Sequence, residues 1–200
     1  MTLDQIFRPY VKGWLSPFVA VSRRIGLTPN FFTVASLIVA GAAGIAFYGR
    51  NEAIATLMVA LNAFFDALDG ALARSMNIQS LKGDLLDHAV DRYSDIFIIT
   101  GIFAGGFTSW PIGVFALTGV LMSSYMGTQA QAVGVGRHYG GVLGRADRLF
   151  LIMVAGVLDL IVPGGFLGIL YIGWLLILFG IMGHITAIQR FAYTWKKMEK

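Results

Sequence analysis

The sequence predicts an all-α, polytopic membrane protein with six transmembrane helices and an N-terminal interfacial helix. Of its 200 residues, 56% are hydrophobic and only 13% are charged, whereas charged residues make up about 25% of a typical soluble domain. Apolar stretches of about 20 residues, the length that crosses a bilayer, recur along the chain between short polar connections. The predicted spans are residues 31–49, 53–76, 83–105, 112–133, 149–162 and 166–188.

The segment before the first span, residues 1–25, predicts a different kind of helix. Apolar residues such as Trp14 and Phe18 recur at three- and four-residue steps, with basic residues between them. This pattern is typical of an amphipathic helix that lies in the membrane interface, and packing of the helix on its own protein explains the pattern equally well. We expect residues 1–200 to form one membrane domain, with the six-helix bundle at residues 31–192.

The basic residues predict the orientation of the chain. With six spans both termini lie on one side, together with fourteen of the fifteen Lys and Arg residues, and only Arg50 lies opposite. Because cytoplasmic loops carry an excess of Lys and Arg, this side is predicted to be cytoplasmic. We therefore expect a multi-pass protein of the cytoplasmic membrane, with membrane lipids and no nucleic acid among its partners.

Four aspartates in the second and third spans are the unusual feature of this apolar chain. Asp66 and Asp69 are three residues apart, and Asp87 is four residues before Asp91, so each pair shares one face of its helix. The short turn at residues 77–82 predicts that the two helices are antiparallel neighbours, with both pairs facing one space. Carboxylates at the lipid-exposed centre of a helix cost about 2.5–3.5 kcal/mol each, so the cluster requires a compensating partner.

Divalent metal ions are the predicted partner of this cluster. Crowded carboxylates stay ionised only where cations lie among them, and carboxylate ligands favour Mg²⁺, Mn²⁺ or Ca²⁺ over zinc. Two such ions in one site are common machinery for displacement at phosphorus. Two alternatives stay open: a proton- or cation-coupled transporter, or ion pairs between the aspartates and nearby basic residues, namely Arg74, Lys82, Arg92 and Arg148.

The order of these residues resembles the signature of the CDP-alcohol phosphotransferases. The match consists of Asp66-x-x-Asp69-Gly70-x-x-Ala73-Arg74, eight residues, and Gly83-x-x-x-Asp87-x-x-x-Asp91. Members of this family join a CDP-activated lipid to an alcohol and release CMP. The resemblance implies an enzyme, specifically a membrane transferase of substituted phosphate groups that forms a homodimer.

The resemblance also implies a role for each matched residue. Asp66, Asp69 and Asp87 would hold one divalent metal, Mg²⁺ or Mn²⁺. Asp66 and Asp87 would hold a second metal together with Asp91, which would also be the catalytic general base. The residues expected to contact the CDP-lipid donor are Pro29, Asn30, Thr33, Gly70, Ala73, Arg74, Ser80 and Gly83.

The acceptor alcohol is predicted from three arginines. Arg145, Arg148 and Arg190 match arginines in relatives that use inositol phosphate, which predicts a phosphorylated polyol. Those relatives also carry a Lys-x-Arg pattern late in the fourth span, where residues 124–131 here offer amides and no cation. We therefore place glycerol phosphate first, inositol phosphate second and serine third. Ester diacyl and ether dialkyl lipid tails remain equally compatible with the sequence.

Overall fold

The computed structural model describes residues 3–136 and 140–198, with side chains from residue 13 onward. Residues 1, 2, 199 and 200 of the predicted domain, and 137–139 of a predicted loop, lie outside the described residues. The regular secondary structure of the described residues is helical, apart from one isolated antiparallel bridge of Phe166 with Ile169, which confirms the all-α prediction. Its helices are α1 (Leu3–Arg24), α2 (Pro29–Tyr48), α3 (Glu52–Met76), α4 (Leu81–Ala104), α5 (Trp110–Ala132), α6 (Arg145–Ile161) and α7 (Tyr171–Met198).

Four of the described helices, α2, α3, α5 and α7, are long and apolar enough to cross a membrane. The other two predicted spans fall short for different reasons. Helix α6 has only 17 residues. Helix α4 has 24 residues, but its first two-thirds carry the charged side chains of Lys82, Asp84, Asp87, Asp91, Arg92 and Asp95.

The connection between the two acidic helices is set by local residues. Helix α3 ends at Met76 because Asn77 adopts a left-handed conformation with φ of 53°, which an Asn tolerates better than most residues. Helix α4 begins after Ser80, whose hydroxyl Oγ accepts a hydrogen bond from the backbone N–H of Gly83 at 3.1 Å. Such a cap satisfies a donor that has no partner within the helix.

Helix α2 provides the packing surface for both acidic helices. The backbones of α2 and α4 touch at Gly44 and Gly101, where a Cβ added to Gly101 would lie 2.2 Å from the carbonyl oxygen of Gly44. Helix α3 also packs extensively on α2, whereas α3 and α4 hardly contact one another. Helices α3 and α4 are therefore neighbours across the space that holds Asp66, Asp69 and Asp87, as predicted, and each packs on α2 rather than on the other.

A second close crossing joins α5 and α7. A Cβ added to Gly183 would lie 2.5 Å from the carbonyl carbon of Gly119, and a Cβ added to Gly119 would lie 2.9 Å from the carbonyl oxygen of Gly180. Two routes join this pair to helices α2, α3 and α4. Helix α5 packs on α4, and α7 packs on α6, which in turn packs on α3. Small residues at both crossings allow the close backbone approach that is typical of membrane helices.

The starts of α2, α4 and α6 lie at the same end of the molecule as the second half of α3. Asn30 and Gly83 lie near each other at the starts of α2 and α4, since Asn30 Oδ1 is 4.0 Å from the position of a Cβ on Gly83. Arg145, the first residue of α6, contacts Asp66 in the second half of α3. We call this part of the molecule, around the four predicted aspartates, the carboxylate end.

Helix α1 packs on the rest of the protein at the carboxylate end. Its Leu15 is buried in a cluster with Leu68 and Leu72 of α3, and the ring of Trp14 meets that of Phe64 edge-on at 6.0 Å. Trp14 is nevertheless 65% exposed. One face of α1 therefore lies on its own protein, and another face carries exposed apolar side chains.

The last helix begins later than the sequence predicts. The sixth span is predicted to begin at residue 166, but α7 starts at Tyr171. The preceding residues turn tightly through Gly164, Gly165 and Gly168, which have φ values of 106°, 65° and 75°. Positive φ values of this kind are incompatible with a right-handed helix and are readily adopted by glycine.

Candidate active site

Three of the four predicted metal ligands come together between α3 and α4. Asp66, Asp69 and Asp87 each offer a carboxylate oxygen, and these oxygens lie within 4.8 Å of one another. Oxygens on opposite sides of a Mg²⁺ ion with bonds of 2.0–2.1 Å would be about 4.2 Å apart. Oxygens at right angles around the same ion would be about 2.9 Å apart, so the three carboxylates fit a hard divalent cation once they draw closer together around it.

The fourth aspartate, Asp91, is connected to this group through a cation of the chain. Its Oδ1 lies 2.6 Å from Nη1 of Arg145, and the same nitrogen donates a hydrogen bond to Asp66 Oδ1. The other oxygen of Asp91 accepts from Nη2 of Arg92 at 3.3 Å. Arg92 is one of the ion-pair partners considered from the sequence, whereas Arg145 was expected to contact the acceptor.

A threonine on α2 fixes one member of the carboxylate group. The hydroxyl of Thr33 donates to Asp69 Oδ2 at 2.7 Å, and both residues are buried. Hydrogen bonds of this kind orient metal ligands and raise their affinity for the ion. Thr33 therefore lies directly behind a predicted metal ligand, while its predicted contact with the CDP-lipid remains a prediction.

The other predicted CDP-lipid residues lie at the carboxylate end of α2, α3 and α4. The guanidinium of Arg74 folds back over Gly70, with Nη1 3.1 Å from the position of a Cβ at residue 70. Any larger residue at position 70 would displace Arg74. Pro29 and Asn30 are the first two residues of α2, and Ala73 lies in the last turn of α3. Ser80 and Gly83 lie at the start of α4, close to Asn30.

The composition of the site matches the chemistry of phosphoryl groups. Carboxylates that fit divalent cations lie beside guanidinium groups, which bind phosphate oxygens in fork geometry. The model of the CDP-alcohol phosphatidyltransferase family matches residues 26–188, a range that contains every predicted site residue except Arg190. The chain belongs to the CDP-alcohol phosphatidyltransferase family. It is thus a membrane transferase of phospholipid biosynthesis, of the EC 2.7.8 type, from a family that uses Mg²⁺ or Mn²⁺.

Similar proteins include enzymes with related names. Archaetidylinositol phosphate synthase of Pyrococcus horikoshii is 33% identical over 192 residues, which cover 96% of each chain. The synthase of the same name from Methanothermobacter thermautotrophicus is 31% identical and covers 96% of this chain and 94% of the relative. These matches confirm the predicted family and favour a transferase over a transporter.

Solved structures of another family member share the fold. Phosphatidylinositol phosphate synthase of Mycobacterium tuberculosis with bound CDP-DAG is 25% identical, with a TM-score of 0.78 over 90% of this chain and 93% of that one. The same synthase in complex with manganese and citrate gives a TM-score of 0.77, with coverage of 90% and 88%. The helical architecture around the carboxylates is thus shared with a family member of known structure.

Two of the three predicted acceptor arginines lie in consecutive turns of α6. Arg145 contacts Asp66 and Asp91, and Arg148 donates from Nη2 to Asp95 Oδ2 at 2.7 Å. Arg148 and Asp95 are both 4% exposed. The role of the two arginines in binding an acceptor phosphate stays a prediction.

The third arginine, Arg190, connects α7 to two other segments. Its Nε donates to the carbonyl oxygen of Gly140 at 2.7 Å, and its Nη1 donates to the carbonyl oxygen of Ser123 at 2.6 Å. The side chain thus holds the start of the described 140–144 segment against the α5–α7 pair. The predicted contact of Arg190 with the acceptor stays a prediction.

Asp95 is the charged residue of the site that the sequence analysis missed. It follows Asp91 by four residues, as Asp91 follows Asp87, so the three carboxylates continue along one face of α4. The same spacing rule that joined Asp87 to Asp91 would have found Asp95.

Proposed function

We propose that the protein transfers a lipid phosphate group from a CDP-lipid to inositol phosphate and releases CMP. The observation that carries this proposal is the similarity, over nearly the full chain, to two archaetidylinositol phosphate synthases. The solved phosphatidylinositol phosphate synthase supports the same acceptor. Inositol phosphate, the second choice from the sequence, therefore replaces glycerol phosphate. Both ester and ether CDP-lipids remain candidate donors.

Two buried guanidinium groups have N–H donors without a hydrogen-bond partner, which supports a phosphorylated acceptor. Nε and Nη2 of Arg145 and Nε of Arg148 have no hydrogen-bond partner within residues 3–136 and 140–198. Buried polar groups are normally hydrogen-bonded, and an orphaned donor is costly. A phosphate carries more negative charge and more acceptor oxygens than the single carboxylate of serine, the third choice, so it would be the better partner for these donors.

Each carboxylate has a proposed task in this reaction. Asp66, Asp69 and Asp87 would hold one divalent metal. Asp66, Asp87 and Asp91 would hold a second. Bound metals would polarise the pyrophosphate of the CDP-lipid and stabilise the CMP that leaves. Asp91 would take the proton from the attacking hydroxyl of the acceptor. Thr33 would keep Asp69 oriented through the hydrogen bond that it donates.

The membrane arrangement is part of the same proposal. Helix α4, with 24 residues, would be about 36 Å long and α6 about 25 Å at 1.5 Å per residue, against a hydrocarbon core of about 30 Å. Helix α4 is long enough to span this core, whereas α6 is about 5 Å shorter, a mismatch that local thinning of the bilayer would accommodate. We propose six spans, with α1 at the interface. The basic residues at the carboxylate end support a cytoplasmic active site, with Arg50 at the opposite end. We further propose a single domain over residues 1–200 that assembles as a homodimer.

An acceptor screen tests the proposed reaction. The protein would be purified in detergent and supplied with Mn²⁺ or Mg²⁺ and with an ester or an ether CDP-lipid. Release of CMP would be measured with inositol phosphate, glycerol phosphate, serine or inositol. We expect CMP release to depend on inositol phosphate and to be lost in Asp91→Asn. Release with glycerol phosphate alone would overturn the acceptor assignment, and no release with any acceptor would overturn the proposed reaction.

A further inference from the structure

Two ion pairs, one helical turn apart, connect α4 to α6. In the outer pair, Asp91 Oδ1 lies 2.6 Å from Nη1 of Arg145. In the inner pair, Asp95 Oδ2 lies 2.7 Å from Nη2 of Arg148. The aspartates are four residues apart on α4 and the arginines three apart on α6, so each pair of like residues shares a helix face.

The two ion pairs differ in exposure. The side chains of Asp95 and Arg148 are only 5% and 4% exposed, whereas those of Asp91 and Arg145 are 15% and 12% exposed. Arg145 also contacts Asp66, a predicted metal ligand whose side chain is 30% exposed. The outer pair therefore adjoins the group of Asp66, Asp69 and Asp87, and the inner pair is enclosed by protein.

Asp95 determines which way the inner guanidinium faces. The guanidinium of Arg148 is planar, so a hydrogen bond from Nη2 to Asp95 also fixes the direction of Nε. This Nε is buried and has no hydrogen-bond partner in the described part of the chain. A buried charge that loses its partner is strongly destabilised, so Arg148 would not keep this orientation without the carboxylate.

We propose that Asp95 is a positioning residue for the acceptor phosphate. It holds the buried guanidinium of Arg148 in place, and through it anchors the start of α6, from which Arg145 reaches the carboxylate end. Asp95 itself touches neither substrate. The inference rests on the proposed function only in that the acceptor is phosphorylated.

The variant Asp95→Asn tests this role because it keeps the shape of the side chain and removes its charge. We expect the KM for inositol phosphate to rise by about tenfold or more, as is typical when a supporting hydrogen bond is lost. The KM for the CDP-lipid and the affinity for Mn²⁺ should stay within about twofold of wild type, because the Asp95 carboxylate is buried against Arg148 and Asp95 is none of the predicted donor or metal residues. Equal increases in both KM values would overturn the proposal.

A double substitution shows whether Asp95 acts through Arg148. We expect Asp95→Asn to leave the acceptor KM unchanged when it is added to Arg148→Gln, because the group that it positions is already gone. The double variant also buries no unpaired charge, so it addresses the role of Asp95 even if Asp95→Asn alone fails to fold. A further rise of the acceptor KM in the double variant would contradict an action through Arg148.

Asp159 provides a matched control at the other end of α6. It is also 4% exposed, and its carboxylate accepts hydrogen bonds from the backbone N–H groups of Tyr171 and Ile172 at 2.6 and 3.0 Å. Asp159→Asn should lower the thermal stability without raising the acceptor KM relative to the donor KM. If Asp95→Asn shows only the same stability loss, Asp95 is structural and the proposal fails.

The test of the Asp95 role can be distinguished from the test of the proposed function. If the wild-type protein uses another phosphorylated acceptor, the same comparison is made with that acceptor, and the proposed function alone fails. If no acceptor supports turnover, equilibrium binding of radiolabelled inositol phosphate replaces the KM. Wild-type binding that persists undiminished in Asp95→Asn would then overturn the positioning role.

Discussion

Arg145 and Asp91 form an ion pair in which Nη1 and Oδ1 are 2.6 Å apart. The same nitrogen donates to Asp66, so one guanidinium connects two carboxylates that are predicted to bind metal. A divalent cation and Arg145 would therefore compete for the same carboxylates. Binding of the metal would release the donors of Arg145 for another anion, and by linkage the two events strengthen each other.

This competition predicts that Arg145→Gln binds Mn²⁺ more tightly than the wild-type protein does. Removal of a positive charge a few ångströms from the site should raise the affinity by about tenfold. Titration of the metal by isothermal calorimetry or by the electron paramagnetic resonance of free Mn²⁺ would measure the change. Arg190→Gln is the control, because Arg190 contacts the carbonyls of Gly140 and Ser123. An unchanged Mn²⁺ affinity in Arg145→Gln would refute the competition.

Asp91→Asn should abolish most turnover while donor binding persists. Loss of the general base lowers the rate by about 10²-fold or more, whereas the CDP-lipid is expected to contact other residues. Turnover is measured by CMP release and donor binding by equilibrium dialysis in detergent. Near-normal turnover would show that another group takes the proton. Equal loss of donor binding would show that Asp91 serves the donor as well.

Thr33→Val should weaken metal binding without abolishing the fold. Valine keeps the shape of the side chain but removes the hydrogen bond of 2.7 Å to Asp69, and loss of such a supporting bond typically lowers metal affinity by about 10–100-fold. Mn²⁺ titration measures the effect. Thr118→Val is the control, because that hydroxyl donates to the Val114 carbonyl within its own helix. The same metal affinity in both variants would argue against the supporting role.

Gly101→Ala should destabilise the crossing of α2 and α4. The added methyl group would lie 2.2 Å from the carbonyl oxygen of Gly44, and overpacking of this kind costs about 1–3 kcal/mol. Thermal unfolding in detergent should show a lower transition temperature. Gly41→Ala is the matched control, since its methyl group would meet only the Phe97 ring, at 3.8 Å. Equal transition temperatures for the two variants would indicate that the crossing adapts.

Several features of this protein could be predicted from the sequence because they depend on local geometry. The all-helical class follows from long apolar stretches, and the placement of Asp66 with Asp69 on one face follows from 3.6 residues per turn. The same rule would have included Asp95. Local periodicity also indicated the termini of α2 to α5 to within about two residues. It missed the start of α6, which lies at Arg145 rather than at 149, and both ends of α7, which begins late because of the glycines around residue 165 and continues to Met198.

The partners of these carboxylates were decided only by the tertiary structure. Thr33 is 36 residues from Asp69, and Arg145 is 79 residues from Asp66. Periodicity specifies the face of a helix on which a side chain lies, but it does not specify which helix covers that face. Close backbone contact at Gly44 and Gly101 makes α2 the common support of α3 and α4, and packing of α6 on α3 brings Arg145 to the carboxylates. These contacts join distant parts of the chain, because complementary helix surfaces select one another only when the whole bundle packs.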